Sequence, residues 1–205
     1  MVKGELFIVS APSGAGKTSL VDALVRENGR LCVSVSHTTR PKRPKEQDGI
    51  NYYFIKRARF LSMLDAGDFL ESAEVYGHHY GTSKKWVADQ LEEGRSVILE
   101  IDWQGAVQIR AQFPQSCYIF IVPPSLEALN DRLRTRAQDN DAIIAKRMEE
   151  ARGVLQHVTD ADFLVVNEDF ATALDEMRAI IQARSLRVEA QRARLRPLLA
   201  SLTED

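Results

Sequence analysis

One stretch near the start of the chain constrains the fold more than any other. An apolar run, a glycine-rich loop and a helical pattern follow each other directly, at Leu6–Ser10, residues 11–18 and Lys17–Asn28. The loop reads Ala-Pro-Ser-Gly-Ala-Gly-Lys-Thr. A loop of this composition between a buried strand and a helix is typical of phosphate binding in α/β proteins. We therefore expect a three-layer α/β fold with a central parallel sheet.

The loop fits the P-loop pattern of nucleoside triphosphate-binding proteins, except that Ala11 stands where the pattern has its first glycine. Gly14 and Gly16 can adopt positive φ, which lets backbone N–H groups approach phosphate oxygens at a helix N-terminus. Lys17 is expected to neutralise the β- and γ-phosphates, and Thr18 to coordinate Mg²⁺. An ordinary glycine-rich turn is the plainer alternative, which the flanking strand and helix disfavour. The residues predicted to bind the nucleoside triphosphate are Ala11, Pro12, Ser13, Gly14, Ala15, Gly16, Lys17 and Thr18.

Strand and helix patterns alternate along most of the chain, as in a P-loop NTPase fold. Further apolar runs predict buried parallel strands at Ser96–Ile101, Cys117–Val122 and Phe163–Val166, with a weaker candidate at Val33–Ser36. Helical patterns lie at Ser125–Arg136, Asp141–His157 and Thr172–Leu198. The length of 205 residues and this alternation favour a single α/β domain.

Two regions depart from the alternation. Residues from about 37 to 83 mix aromatic, polar and helical patches, which predicts a small mixed α+β insert after the first βα unit. Residues 132–147 are charged and poor in large apolar side chains, which predicts a mobile helical lid within about 126–157. Inserts and lids of this kind carry substrate contacts in many enzymes.

Composition excludes several classes of function. The 205 residues carry a net charge of −2, so no overall polybasic field favours nucleic acid or a membrane surface. The longest apolar run, Cys117–Val122, is far shorter than the ~20 residues that span a bilayer, and the N-terminus lacks a secretory pattern. Cys32 and Cys117, the only cysteines, are interpreted as buried apolar residues of a cytoplasmic protein.

The insert contains the groups needed to bind a second phosphate-bearing molecule. Four cations lie within Arg40–Lys45, and arginine forks suit phosphate oxygens. A solvated basic loop is the common alternative for such a run. The insert also holds phenol, hydroxyl and carboxylate groups, notably at Tyr52, Glu71, Tyr80 and Thr82. A carboxylate can accept hydrogen bonds from N1–H and the 2-amino group of guanine, an edge that adenine lacks.

These motifs, in this order, resemble the signature of guanylate kinases. The segments that carry the resemblance are Ser34–Arg40 with Arg43, Glu46, Gly49, Tyr52 and Phe54, then Phe69–Glu71, Tyr80–Ser83 and Ile101–Gly105. The resemblance extends from Gly4 to about Arg184 and is to the compact bacterial enzyme. It implies a catalytic domain over residues 4–184, followed by a C-terminal helical tail over residues 185–205. It implies phosphorylation of GMP, and of dGMP, by ATP with Mg²⁺, in purine nucleotide metabolism and GMP recycling.

The resemblance also implies roles for individual residues. Those implied to bind the GMP phosphate are Arg40, Arg43, Tyr52 and Tyr80. Those implied to read the guanine are Ser36, Glu71, Thr82 and Asp102. Lys17, Arg136 and Arg147 are implied to act on the transferring phosphoryl group, with Arg132 beside them at the ATP site. Asn167 matches a position near the adenine.

Alternatives remain for several of these assignments. Tyr52 and Tyr80 could be half-buried core residues, and the lid arginines a solvated helix face. Glu100, where the family often has Asp, could support Mg²⁺ through water, and its role is left open.

A protein-binding module would have degraded the P-loop or lid arginines, and a GTPase would need a guanine motif such as Asn-Lys-x-Asp, which is absent. The arginine-rich tail is a solvated amphipathic helix or a subunit contact, and the oligomeric state is not specified.

Overall fold

A computed structural model describes residues 3–75, 77–135 and 141–203. Its strands are β1 (Leu6–Ser10), β2 (Leu31–Val33), β3 (His37–Thr38), β4 (Tyr53–Phe54), β5 (Phe69–Val75), β6 (His78–Ser83), β7 (Ser96–Glu100), β8 (Cys117–Val122) and β9 (Phe163–Val166). Its α-helices are α1 (Lys17–Glu27), α2 (Arg57–Asp65), α3 (Lys84–Glu92), α4 (Trp103–Gln112), α5 (Leu126–Thr135), α6 (Asp141–Leu155), α7 (Phe170–Ser185), α8 (Val188–Arg194) and α9 (Arg196–Thr203).

The larger sheet has five parallel strands in the order β2-β7-β1-β8-β9. Its apolar side chains alternate between two faces, as the strand period requires. Val9 and Ile119 pack with α1 and α7 on one face, whereas Ile8 and Leu99 pack with α3 and α4 on the other. These layers confirm the predicted α/β fold with a central parallel sheet.

Three predicted elements differ from the structure. The second strand is Leu31–Val33 rather than Val33–Ser36, because Leu31 pairs with the first residue of β7. β9 is correctly placed at Phe163–Val166 but is an edge strand, and only Val165 is buried. The long helix predicted at Thr172–Leu198 is three helices, α7 to α9. Arg187 adopts an extended conformation that ends the first of them.

Residues between β2 and α3 form the insert, a four-stranded sheet in the order β4-β3-β6-β5 with helix α2. The β5–β6 hairpin is antiparallel, with a bulge at Leu70 where two residues oppose one. Stacked rings connect the helix to the sheet, because Phe60 of α2 lies 4.5 Å from the ring of Phe69 and 5.3 Å from that of His79. The predicted mixed α+β insert is therefore present.

Helices α5 and α6 lie within the region predicted as the lid. They share a small apolar core of Leu129, Leu133, Ile144 and Ala151. Residues 136–140, between the two helices, are outside the described residues. Among the helices that the structure describes, none is both long and apolar enough to cross a bilayer.

Parallel strands bring the ends of β1, β7, β8 and β9 to the same edge of the larger sheet. The loop 11–18 follows β1, and Ile101 and Asp102 follow β7. Ligands of open α/β sheets bind beyond this carboxyl edge. Strand β5 of the insert contacts helix α4, which begins at the same edge directly after Asp102, so the insert lies beside this edge.

Candidate functional site

The loop 11–18 has the backbone that phosphate binding requires. Gly14 and Gly16 have φ of 97° and 96°, in the left-handed region that favours glycine. The Ala15 N–H closes a turn on the Pro12 carbonyl at 3.1 Å, and helix α1 begins at Lys17. The first N–H groups of a helix have no partner within the helix, so here they face the loop as anion donors.

Side chains from α5 and from the residue that follows β9 pack directly against this loop. A Cβ added at Gly16 would lie 2.2 Å from Nδ2 of Asn167, and one at Gly14 would lie 3.0 Å from Leu133. The Asn167 amide, 5% exposed, donates to the Ala15 carbonyl at 2.7 Å. Arg132 in turn donates to the Asn167 carbonyl at 2.8 Å. Asn167, predicted near the adenine, therefore holds the phosphate loop in place, and Arg132 lies beside it.

A cleft of about 470 Å³ opens next to these residues. Its lining includes the predicted residues Gly14, Gly16, Arg132 and Asn167, with Ser19, Asp131, Thr135, Glu168 and Phe170. Phe170 is an apolar ring 43% exposed at the start of α7, and the sequence reasoning missed it. The sequence feature that could have indicated it is its position directly after Asp169, a helix-capping residue. The Asp169 carboxylate accepts a hydrogen bond from the Thr172 N–H at the start of α7. An exposed aromatic ring in the lining of this cleft suits a nucleobase.

Lys17 lies between the loop and three carboxylates. Its Nζ atom is 3.4 Å from the Ile101 carbonyl oxygen, which also accepts a 2.8 Å hydrogen bond from Ser10 Oγ. Burial lowers the pKa of Lys17, and the negative charges of Glu100, Asp102 and Glu71 oppose that shift. A cation in this position can neutralise phosphates bound to the loop 11–18 and phosphates bound on the side of the three carboxylates.

Thr18 and Glu100 meet at the carboxyl edge of the sheet. The Thr18 hydroxyl donates to Glu100 Oε2 at 2.9 Å, although the residues are 82 positions apart in sequence. Among the described residues no cluster of three acidic, histidine or cysteine side chains could hold a metal by itself. A hydroxyl beside one carboxylate instead fits Mg²⁺, which takes oxygen ligands and completes its shell with water and substrate phosphates.

Glu71, Thr82 and Ser36, predicted to read a guanine, form one buried cluster. Thr82 Oγ1 donates to Glu71 Oε1 at 2.6 Å, and Ser36 Oγ lies 3.2 Å from Thr82 Oγ1. Glu71 is 4% exposed, and burial raises its pKa to about 7 against the opposing hydrogen bonds from Thr82. A buried carboxylate with spare acceptor capacity favours a ligand that donates hydrogen bonds.

The first turn of α4 lies against the Glu71 carboxylate. A Cβ added at Gly105 would be 2.7 Å from Glu71 Oε2, so only glycine permits this approach. Asp102, the fourth residue predicted to read the base, caps the helix and accepts from the Gly105 N–H at 2.9 Å. The structure thus brings all four predicted base-reading residues to one place.

The residues predicted to bind a second phosphate lie on the insert. Arg40 pairs with Glu46 at 2.6 Å, and its guanidinium lies 5.5 Å from the centre of the Tyr52 ring. The Tyr52 and Tyr80 rings are 5.9 Å apart, and burial raises the pKa of Tyr52 to about 12. The Arg43 side chain is exposed, while its N–H donates to Glu46 at 2.8 Å. Glu46 therefore shapes this basic loop, a role the sequence reasoning did not assign.

The two predicted lid arginines differ in what the structure describes. Arg147 lies half-buried on α6. Arg136 falls outside the described residues. Of the predicted catalytic residues Lys17, Arg136 and Arg147, the structure therefore describes the first and the last.

Known proteins resemble this chain over almost its whole length. Residues 3–184 match the family model described as guanylate kinase. The chain belongs to the guanylate kinase family. It is 53% identical to the guanylate kinase of Hahella chejuensis over 98% of this chain and 99% of the relative. It is also 53% identical to that of Coxiella burnetii over 100% and 99% of the two chains.

A solved structure extends the agreement to three dimensions. The crystal structure of guanylate kinase from Anaplasma phagocytophilum matches with a TM-score of 0.79 at 33% identity, covering 98% of this chain and 96% of that one. The resemblance inferred from the motifs is thereby confirmed, and with it the fold class of the family.

Proposed function

We propose that this guanylate kinase family member transfers the γ-phosphoryl group of ATP to the phosphate of GMP, and likewise of dGMP. The observation that carries the proposal is the buried Glu71–Thr82–Ser36 cluster, placed against α4 and near Lys17. It provides a base-reading acceptor whose charge acts on the phosphate-neutralising lysine. The predicted activity, ATP-dependent phosphorylation of GMP, agrees with the name of the relatives, guanylate kinase.

The donor nucleotide would occupy the loop 11–18 and the adjoining cleft. Backbone N–H groups of the loop and Lys17 would hold its phosphates, and the cleft beside Phe170 and Arg132 would take the adenine. Thr18 and Glu100 supply oxygen atoms for Mg²⁺, which when bound would neutralise developing charge on the β- and γ-phosphates.

The acceptor nucleotide would bind to the insert beside the first turn of α4. Arg40, Arg43, Tyr52 and Tyr80 would hold its phosphate, and Arg40 is already oriented by Glu46. The Glu71 carboxylate would accept from N1–H and the 2-amino group of guanine. Adenine has no donor at either position, so it would leave the buried carboxylate unpaired, which is costly.

Phosphoryl transfer requires mainly that the two substrates be aligned and that the negative charge of the transferring group be stabilised. An oxygen of the GMP phosphate attacks the γ-phosphorus of ATP, the bond from γ-phosphorus to the β,γ-bridging oxygen breaks, and ADP leaves. Lys17, Arg136 and Arg147 would stabilise the negative charge spread over the transferring group. Closure of lid and insert would exclude water, which otherwise competes as the acceptor.

The proposed partners are these nucleotides rather than nucleic acid or a membrane, since the net charge is −2. The proposed location is the cytoplasm. Cys32 and Cys117 are free and buried, which agrees with a reducing compartment.

A coupled assay of ADP formation tests the function directly. With ATP and Mg²⁺, the protein should phosphorylate GMP and dGMP in preference to AMP, CMP and UMP. Equal use of AMP would overturn the guanine assignment while leaving a nucleotide kinase. Absence of turnover with every monophosphate would overturn the kinase assignment itself.

A further inference from the structure

Helix α4 is bonded to the edge of the insert sheet by a side-chain amide. The Gln108 Nε2 group donates to the Ser72 carbonyl at 2.8 Å, and the Ser72 N–H donates to Gln108 Oε1 at 3.1 Å. One amide thus satisfies both backbone groups of a residue in β5. This is the pairing that a neighbouring strand would provide, and β5 is an edge strand with β6 as its partner.

A second glutamine continues the same contact one helical turn later. Gln112 Nε2 donates to the Leu70 carbonyl at 2.9 Å. Residues four apart share a face of a helix, and residues two apart share an edge of a strand, so the spacing of Gln108 and Gln112 matches that of Ser72 and Leu70. We call these two glutamines the amide brace. It joins the P-loop core to the insert through three hydrogen bonds.

The residue between the two braced positions is Glu71. Its backbone is therefore held on both sides by α4, and its carboxylate lies against Gly105 of the same helix. The bulge at Leu70 leaves an unpaired residue next to Glu71 in the β5–β6 ladder, so the strand alone restrains this point poorly. The brace supplies the restraint that the ladder lacks there.

We propose that Gln108 is a positioning residue for base recognition, which fixes Glu71 relative to α4 so that its carboxylate meets two donors of guanine at once. The inference rests on the proposed function, because it concerns the residue that reads the base. Guanine offers N1–H and a 2-amino group, whereas hypoxanthine offers N1–H alone. Accurate placement of Glu71 is therefore measured by the preference for GMP over inosine monophosphate.

The test is Gln108→Met in the full chain, which keeps the length of the side chain and removes both hydrogen bonds to Ser72. The ratio of kcat/KM for GMP to kcat/KM for inosine monophosphate should fall about tenfold, the scale of one or two lost hydrogen bonds. KM for ATP should stay within about twofold of wild type. Val107→Ala is the matched control, because Val107 lies on the same helix and is 54% exposed.

The possible outcomes separate the inference from the function. A Gln108→Met protein that melts at a lower temperature but keeps the wild-type GMP to inosine monophosphate ratio would show a purely structural brace and overturn the inference. Wild-type protein that fails to use GMP would overturn the proposed function instead. If Gln108→Met does not fold, Gln112→Met decides. That variant loses one bond, so the ratio should fall about threefold, and an unchanged ratio would overturn the inference.

Discussion

The hydroxyl of Thr82 donates a 2.6 Å hydrogen bond to the carboxylate of Glu71, and both side chains are buried. The hydroxyl favours the ionised carboxylate, whereas burial favours the neutral acid and is the larger effect, so the pKa rises to about 7. A guanine that donates two further hydrogen bonds would favour ionisation again. Ligand binding and proton release at Glu71 are therefore coupled.

This coupling predicts a pH-dependent affinity for GMP. Below about pH 7 the free protein holds Glu71 protonated, so GMP must displace that proton and its KM should rise as the pH falls. Ionisation of the substrate phosphate also changes KM with pH. The variant Glu71→Gln corrects for this, because its KM still depends on the phosphate but no longer on a carboxyl group at position 71. We expect the ratio of wild-type to variant KM to change about tenfold between about pH 8 and pH 6. A ratio that is constant with pH would contradict the coupling.

The same carboxylate makes a separate prediction about stability. Its pKa is higher in the folded state than the ordinary value of 4.5, so folding takes up a proton between about pH 4.5 and pH 7. The free energy of unfolding should therefore decrease as the pH rises through this window. Glu71→Gln should raise the melting temperature of the ligand-free protein at about pH 8, with a smaller gain at about pH 5. A gain that is equal at both pH values would contradict the assigned pKa shift.

Glu100 and Thr18 lead to a prediction about the metal. Glu100→Gln removes the charge beside the Thr18 hydroxyl, so the Mg²⁺ concentration for half-maximal activity should rise about tenfold. Glu100→Asp keeps the charge, so it should remain near wild type. GMP binding without ATP, measured by calorimetry, should be unchanged in both variants. Equal Mg²⁺ dependence in all three proteins would exclude Glu100 from the metal site.

Much of the fold could be predicted because short apolar runs between polar turns specify buried strands. β1 and β8 match their predicted bounds since their burial is complete or nearly so. The predicted tail is helical, but the single long helix predicted at Thr172–Leu198 was wrong, because its pattern has no buried face beyond α7 that would hold the segments in one helix. Leu186 and Val188 are 57% and 73% exposed, and the chain turns between them.

The sequence could predict which residues belong to the site but not which residues they contact. Motifs indicate that Asn167, Glu71 and Thr18 matter, yet the partners they meet lie far away in sequence. Asn167 reaches Ala15 across 152 positions, and Gln108 reaches Ser72 across 36. Such pairs depend on how whole elements pack, which no local pattern encodes. Phe170 was missed because only the arrangement of α7, α5 and the loop 11–18 in the fold makes its ring line the cleft.

The basic loop of the insert predicts a defect confined to the acceptor. Arg43→Ala should raise KM for GMP by about tenfold or more, since a charge-assisted hydrogen bond to phosphate is lost, and leave KM for ATP unchanged. Lys42→Ala removes a neighbouring exposed charge and controls for general electrostatic attraction. A wild-type KM for GMP in Arg43→Ala, or an equal defect in Lys42→Ala, would remove Arg43 from the phosphate site.

Phe170 predicts the complementary defect, confined to the donor. Its ring lines the cleft beside Arg132, where it can stack on the adenine of ATP. Phe170→Ala should raise KM for ATP about tenfold, with KM for GMP unchanged, because base stacking on an aromatic ring contributes about 1–3 kcal/mol. Phe163 of β9 is 38% exposed and does not line this cleft, so Phe163→Ala is the matched control. An unchanged KM for ATP in Phe170→Ala would place the adenine elsewhere.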